Sequence, residues 1–237
     1  MTVSICFHSS HSGLRDECYK IGRLRFRLTG FFDEHYVPSL LKPVMIVGLR
    51  GNTDLGYQSA KKLVKTLGAK RFAEYYSEWF PDLAFVNDDG LCRLPRWTLH
   101  ESSSTIPNAV ILSGVTRVAS EDPHAHYSTF NELVEFSKNL GVRLIYVLDG
   151  IVAGESEERR IQVATTSPEL TRKAHGHGAQ ILKDVALPSA PSMFLGLSRL
   201  HSQAAMLIVG LLAEPKSDDT AIEATLSFLS KVAEIKT

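Results

Sequence analysis

The chain lacks the features that mark secreted and membrane proteins. It has three cysteines in 237 residues, Cys6, Cys18 and Cys92, and no CxxC pair, which favours a reducing compartment over a disulfide framework. The longest apolar run, residues 204–213, is interrupted by Gly210 and is far shorter than a bilayer crossing requires. The polar N-terminus has no signal-peptide core. We therefore expect a cytoplasmic protein without a membrane partner.

An excess of charge of either sign is also missing. Twenty-six basic residues balance 26 acidic ones, so the chain as a whole has no electrostatic attraction for nucleic acid. Arg23, Arg25 and Arg27 alternate with apolar residues, a period of two that is typical of a half-exposed strand. An edge strand with a solvated face is the favoured interpretation, and a basic contact strip for a partner is the alternative. We expect no nucleic-acid partner.

Complete catalytic or metal-binding sets are absent from the sequence pattern. There is no Gly-x-Ser-x-Gly elbow, and the histidines at 124/126 and 175/177 stand two apart, which does not suit one face of a helix. No cysteine or carboxylate cluster at metal-ligand spacing completes a four-ligand set. We expect no catalytic residue, no metal and no cofactor, and a non-enzymatic protein is favoured over an enzyme.

The stretch that is informative runs from residue 42 to 56. A short apolar run at 44–47 predicts a buried strand, a glycine-rich loop follows, and apolar residues at helical spacing predict a helix over 57–67. The glycine spacing matches neither a Walker loop nor the dinucleotide fingerprint. The glycines serve either turn geometry and close packing or a binding loop.

A second loop follows the predicted strand at 142–148. In open α/β sheets, ligands and partners meet the loops at the carboxyl ends of strands, so both loops are candidate ligand- or partner-binding sites. The candidate residues are Gly48, Arg50, Gly51, Asn52 and Gly56 in the first loop, and Asp149, Gly150 and Glu155 in the second.

Apolar strands alternate with helices along the chain from residue 43. Further strands are predicted at 109–112, 161–165 and 204–212, with helices after Asp122 and Ser167, at 193–201 and after Asp218 or Asp219. The pattern predicts an α/β fold in which helices cover both faces of a mixed, largely parallel central sheet. Residues 71–101 predict a small antiparallel meander that includes an Asp-Gly hairpin turn. We divide the chain into an N-terminal extension, residues 1–42, with a candidate edge strand, and an α/β domain, residues 43–237.

Several ordered motifs resemble those of the second type of the proteasome-assembly-chaperone family, which has archaeal, bacterial and eukaryotic members. The motifs are 44–51 with Gly56, 87–95 (Asn-Asp-Asp-Gly-Leu-Cys-Arg-Leu-Pro), 110–114, 141–150, 163–170, and 194–197 followed by 213–215. The resemblance covers the chain from about residue 43 onward. Archaeal proteasome-assembly-chaperone-like proteins are among the members that the chain resembles.

The resemblance implies a three-layer α/β sandwich similar to nucleoside phosphorylases, homo-oligomers, and a chaperone role toward proteasome core subunits. Members that dock on the proteasome carry a C-terminal hydrophobic-Tyr-any tripeptide. Here Ile235, Lys236 and Thr237 stand in those places, and Lys236 replaces the tyrosine. This tripeptide is the candidate docking element, although the aromatic ring is missing.

Two hypotheses follow. The first is a non-enzymatic, oligomeric protein that binds or assembles partner proteins such as proteasome core subunits. The alternative is a nucleoside-like small-molecule binding protein or enzyme that uses the Gly48–Gly56 and Asp149–Glu155 loops.

Overall fold

The computed structural model describes residues 30–153, 161–187, 189–213 and 218–235, and the backbone of 19–21 and 24–26. The described helices are α1 (Leu55–Thr66), α2 (Pro123–Asn139), α3 (Pro168–Gly176), α4 (Ala190–Leu200) and α5 (Asp219–Ala233). The described strands are β1 (Tyr19–Ile21), β2 (Leu24–Phe26), β3 (Gly30–Glu34), β4 (Val44–Leu49), β5 (Lys70–Ser77), β6 (Phe85–Val86), β7 (Cys92–Arg93), β8 (Trp97–Ser102), β9 (Ala109–Gly114), β10 (Leu144–Val152), β11 (Gln162–Thr165), β12 (Gln180–Ile181) and β13 (Ala205–Leu212).

Nine of these strands form one mixed sheet in the order β12-β11-β13-β10-β4-β9-β8-β5-β3. The four central strands β13, β10, β4 and β9 are parallel to one another. On one side β8, β5 and β3 continue the sheet with antiparallel pairing. On the other side β11 is antiparallel to β13 and parallel to β12. The α/β class and the mixed sheet are therefore confirmed. Four of the eight strand pairs in this sheet are parallel, three at its centre and one between β11 and β12, so the sheet is less parallel than predicted.

Two apolar cores lie on opposite faces of the sheet. Strands β4, β9 and β13 are buried at every position, as expected for strands covered on both faces. Alternate side chains pack with α2 and α4 in one core and with α1, α3 and α5 in the other. This gives three layers. The likeness to nucleoside phosphorylases in particular stays a prediction.

Four of the helices begin at a serine or aspartate side chain that caps the helix. Asp122 accepts a hydrogen bond from the His124 N–H, and Ser167 accepts one from the Leu170 N–H. Ser189 and Asp218 cap α4 and α5 in the same manner. Helix α4 thus starts three residues before the predicted position, at the Ser-Ala-Pro sequence that opens it.

The expected meander over 71–101 is only partly present. Strands β5 and β8 belong to the main sheet, where they pair with each other and with β3 and β9. Only β6 and β7 form a separate antiparallel pair, closed by the predicted turn at 87–90. The local pattern identified the strands, but their pairing is decided by contacts distant in sequence.

The edge of the sheet is β3, which lies within the stretch assigned to the N-terminal extension. Phe32 of this strand stacks on Phe136 of α2, with ring centroids 3.8 Å apart. The predicted basic strand at 23–28 contributes β2, which pairs with β1 and not with the main sheet. Arg23 and Arg27 lie outside the described residues. The domain boundary at residue 42 stays a prediction, while residues 30–34 are part of the main sheet.

Among the described helices, none combines the length and the apolar character needed to cross a membrane.

Candidate functional site at the carboxyl-end rim

The carboxyl ends of β4, β9, β10 and β13 meet at one rim of the sheet. The glycine-rich loop leaves β4 there and enters α1, whose first residue is Leu55. The N-terminus of α4 lies at the same rim, because its cap Ser189 contacts Asp149 of β10. Asp149 and Gly150, predicted to lie in a loop, belong instead to β10, and Gly51 of the first loop lies beside Asp149.

The loop after β4 is fixed by its own polar contacts. The Arg50 N–H donates to the Gly114 carbonyl at 3.0 Å, which ties the loop to the end of β9. The Arg50 guanidinium binds both carboxylate oxygens of Asp54 at 2.6 and 3.0 Å. Arg117, in the loop after β9, donates to the Gly51 carbonyl. The loop is therefore fixed by three contacts: one to the end of β9, one within the loop and one from the loop that follows β9.

Asp149 is the central charged group of the rim and is 5% exposed. The Ser189 hydroxyl donates to its Oδ2 at 2.5 Å, and the Gly150 N–H donates to its Oδ1 at 2.8 Å. Burial raises the pKa of the carboxyl, and the hydrogen bonds from Ser189 and Gly150 oppose that rise. Both oxygens thus have a donor from the fold, and the carboxylate joins β10 to the start of α4.

Glycines bring these loops together more closely than other residues would allow. A Cβ added at Gly51 would lie 2.6 Å from the Asp149 Oδ1. At Gly56 it would lie 2.3 Å from the Leu148 carbonyl oxygen, and at Gly150 it would lie 2.5 Å from the Thr53 Oγ1. At Gly48 the added atom would meet Ala60 and the carbonyl of Gly56. The glycines therefore serve backbone contact between β4, β10 and α1.

The remaining predicted site residues are dispersed. Asn52 is on the surface, and Glu155, Lys236 and Thr237 lie outside the described residues. Ile235 is 1% exposed and belongs to the core beneath α5, and its carbonyl accepts a hydrogen bond from the Ser230 hydroxyl at 2.6 Å. In this arrangement the Ile235 side chain stabilises the fold and is not presented at the surface.

Sequence reasoning missed Ser189 and Arg117, which complete the rim. The Ser-x-Pro start of α4 was available as a helix-cap pattern and would have placed Ser189 at a helix N-terminus. No pattern around Arg117 indicates that it reaches back to Gly51.

A second polar cluster joins α2 to α4 away from the rim. His201, at the end of α4, places its Nδ1 2.5 Å from the Glu135 Oε1 and its Nε2 2.6 Å from the Asn131 Oδ1. Burial lowers the pKa of His201, and the nearby Glu135 carboxylate opposes this shift. Lys138 lies 3.9 Å from the same carboxylate oxygen. Within the part of the chain that the structure describes, no group of three or more His, Cys, Asp or Glu residues is arranged to hold a metal ion.

Comparison with known proteins identifies the family. A model of the PAC2 family matches residues 45–237. The chain belongs to the PAC2 family. The matched region includes the carboxyl-end rim and most of both cores, so the glycine contacts described above lie within the family domain. Curated protein sequences yield no match.

Solved structures show the same PAC2 fold. The chain is similar to PbaB of Pyrococcus furiosus, described as an archaeal proteasome activator, with a TM-score of 0.81, 22% identity, and coverage of 89% of this chain and 91% of PbaB. It is also similar to PbaA of the same organism, an archaeal homologue of proteasome-assembly chaperone (TM-score 0.72, 16% identity, 87% and 83% covered). A proteasome-assembly chaperone homologue of Mycobacterium tuberculosis gives a TM-score of 0.65 at 16% identity, with 82% and 86% covered. At these identities the likeness establishes the fold alone.

Proposed function

We propose that this PAC2 protein is a non-enzymatic, homo-oligomeric cytoplasmic protein that binds or assembles partner proteins, with proteasome core subunits as its partners. The observation that carries the proposal is its membership in the family together with the near-complete overlap with PbaB, an archaeal proteasome activator. The rim supports it, because backbone contacts and a carboxylate engaged by the fold occupy the place where an α/β enzyme would present reactive groups.

The test is direct binding to proteasome α subunits. Native mass spectrometry of the purified protein mixed with these subunits is expected to show a complex of defined stoichiometry. A mixture in which both components keep their separate masses at micromolar concentration would contradict the proposal.

The C-terminal tripeptide gives a second, gain-of-function test. If docking uses residues 236 and 237, which follow the buried Ile235, then Lys236→Tyr supplies the aromatic ring of the docking motif and should tighten binding to the subunits. Lys236→Ala is the matched control, since it removes the lysine without adding the ring. Equal affinities of the two variants would exclude this route of docking while leaving the binding measured for the unmodified chain.

The second candidate function is a nucleoside-like small-molecule binder or enzyme. It is favoured by one observation, the convergence of the Gly51 loop on Asp149 at the carboxyl-end rim. Thermal-shift measurements with nucleosides and nucleotides test it, because a ligand at a hundred times its dissociation constant stabilises the folded state by about 2.7 kcal/mol. The absence of any shift across such a panel would remove this candidate.

A further inference from the structure

The β6–β7 hairpin projects from the rim as an exposed arm, which we define as residues 82–94. Every residue of this arm is exposed. Val86 is 63%, Leu91 is 66% and Leu94 is 59% exposed, although such side chains are usually buried. The large apolar residues on the arm are Leu83, Phe85, Val86, Leu91 and Leu94. A concentration of apolar surface on one projecting element marks a binding surface.

The arm has little support from its own chain. Each of its strands has two residues, and an isolated two-stranded hairpin is at best marginally stable in water. Its internal contacts are local: the Arg93 guanidinium lies 4.7 Å from the centre of the Phe85 ring, and the Asn87 side chain accepts N–H groups of Asp89 and Leu91. A partner that covers the apolar side chains would stabilise the arm.

The charge on the arm defines the partner surface. Asp82, Asp88 and Asp89 outnumber Arg93 on the arm, which leaves it with net negative charge, and Asp88 and Asp89 form the tip of the hairpin. Two arms packed tip to tip would bring these carboxylates together, which disfavours a symmetric arm-to-arm contact. The acidic tip of the arm instead fits a surface of positive charge.

A basic surface of this kind lies on this chain, around the groove between α1 and α5, where Leu226 is the apolar residue of the lining. The groove has a volume of about 410 Å³ and is lined by Lys62, Thr66, Glu223, Leu226, Ser227, Ser230 and Lys231. Lys62 and Glu223 form an ion pair whose charges cancel, so Lys231 supplies the net positive charge of the lining. Lys61 and Lys65 extend the basic surface of α1. The groove therefore complements the arm in charge.

The groove also lies well away from the arm of the same chain. Helix α1 starts at the rim and runs about 16 Å to Thr66 at a rise of 1.5 Å per residue. The arm leaves β5 at the rim, beyond β4, β9 and β8 in the sheet order. An acceptor on a second copy satisfies this geometry without bending the arm back across its own helices.

We propose that the arm of one copy docks into the α1–α5 groove of a second copy. The contact is heterologous, since different surfaces meet, and it generates a closed ring when the rotation between copies closes. The balanced net charge of the chain leaves no global repulsion between copies. This inference rests on the self-association included in the proposed function and assigns the surfaces that produce it.

Charge reversal with rescue tests the contact. The unmodified chain should form one oligomer, whereas Asp88→Lys/Asp89→Lys and Lys62→Glu/Lys231→Glu should each shift the mass measured by light scattering or native mass spectrometry toward the monomer. Mixing the two variants should restore association, because the reversed arm again meets a groove of opposite charge. Glu169→Lys/Asp184→Lys reverses two exposed acids elsewhere and should leave the oligomer intact.

The outcomes separate this inference from the proposed function. An oligomer that is unchanged in both reversal variants would overturn the arm contact and leave the proposed self-association standing. A monomeric unmodified chain would overturn both, and binding to proteasome subunits is measured independently of either result. Loss of the oligomer without restoration on mixing would also overturn the pairing of these two surfaces.

A cross-link tests the same contact without altering its charge. Cys92 lies on the arm and is exposed, and Ser227 lines the groove. In a background with Cys6 and Cys18 replaced by serine, Ser227→Cys treated with copper–phenanthroline, which accepts the two electrons, should give covalent dimers on a non-reducing gel. The same protein with Cys92→Ser should give none. Equal cross-linking in both would contradict the contact.

Discussion

The parallel centre of the sheet and its antiparallel side differ in how they end at the same rim. At the ends of β4 and β10, glycines bring backbone against backbone, and Asp149 is enclosed by Ser189 and Gly150. On the antiparallel side, the segment between β5 and β8 instead forms an exposed hairpin that carries large apolar side chains. The glycine-rich loop thus makes close backbone contacts, whereas the exposed apolar side chains lie in a segment with no glycine-rich pattern.

The largest expected effect is on the closed side, at Gly56. A Cβ there would meet the Leu148 carbonyl oxygen at 2.3 Å, and neither backbone can move without disturbing β10. Gly56→Ala should lower the free energy of unfolding by about 3 kcal/mol, measured by urea denaturation.

Gly196→Ala is the matched control. Gly196 is exposed in α4 with no atom within 4 Å of an added Cβ, so the same substitution should raise the stability by about 0.5–1 kcal/mol. If the two substitutions changed the free energy of unfolding equally, the close contact between Gly56 and Leu148 would not be important for stability.

The next effect is at Asp149. Asp149→Ala removes the acceptor of the Ser189 hydroxyl and of the Gly150 N–H in a buried site, and should cost about 2 kcal/mol of stability. Urea denaturation of this variant beside Ser189→Ala separates the carboxylate from the helix cap, since the second variant removes the cap and one of the two donors. A loss below about 0.5 kcal/mol for Asp149→Ala would contradict the structural role assigned to the carboxylate.

The third effect is a pH dependence at the α2–α4 contact. Burial holds the pKa of His201 below its usual value of 6.5, so the folded state favours the neutral ring. The stability linked to this group is present above the unfolded pKa and is lost as the pH falls through the lowered pKa, because the unfolded state then binds the proton more tightly.

Melting temperatures of the unmodified chain and of His201→Gln, measured from pH 7.5 downward, check this sign. The unmodified chain should lose more stability on acidification than the variant. His175→Gln, at an exposed histidine, should follow the unmodified chain. A steeper acid loss in His201→Gln would show that Glu135 dominates and favours the charged ring.

The smallest expected effect is in the arm. Leu91→Ala should change the free energy of unfolding of the dilute monomer by less than about 0.5 kcal/mol, because Leu91 is 66% exposed. In the same urea experiment Gly56→Ala should cause a much larger loss of stability than Leu91→Ala. The difference distinguishes the part of the rim that maintains the fold from the exposed arm. A loss above about 2 kcal/mol would place the arm within the cooperative core.

The sequence was sufficient for the alternation of buried strands and capped helices, because periodicity, caps and turn residues are local. It correctly located α2 and α3 from Asp122 and Ser167, and the hairpin turn before β7. It did not predict that β3 forms the sheet edge, since strand pairing depends on long-range contacts such as Phe32 on Phe136.

The candidate site was only partly predictable for a similar reason. The sequence placed both groups of candidate residues after strands. It could not show that Gly56 faces the Leu148 carbonyl, because that contact depends on which strand lies opposite. Ile235 shows the same limit: a hydrophobic residue after an amphipathic helix suits a docking element, yet its side chain completes the core.

The position of β3 has a practical consequence for fragments of this protein. Residues 30–34 precede the stretch matched by the family model, so a fragment cut to the family limits would lose them. The backbone of β5 would then lose its partner along the five residues 73–77 and become an open edge, next to a bared Phe136 ring. Such an edge recruits strands from other molecules, so the shortened fragment should precipitate where the longer one stays dispersed.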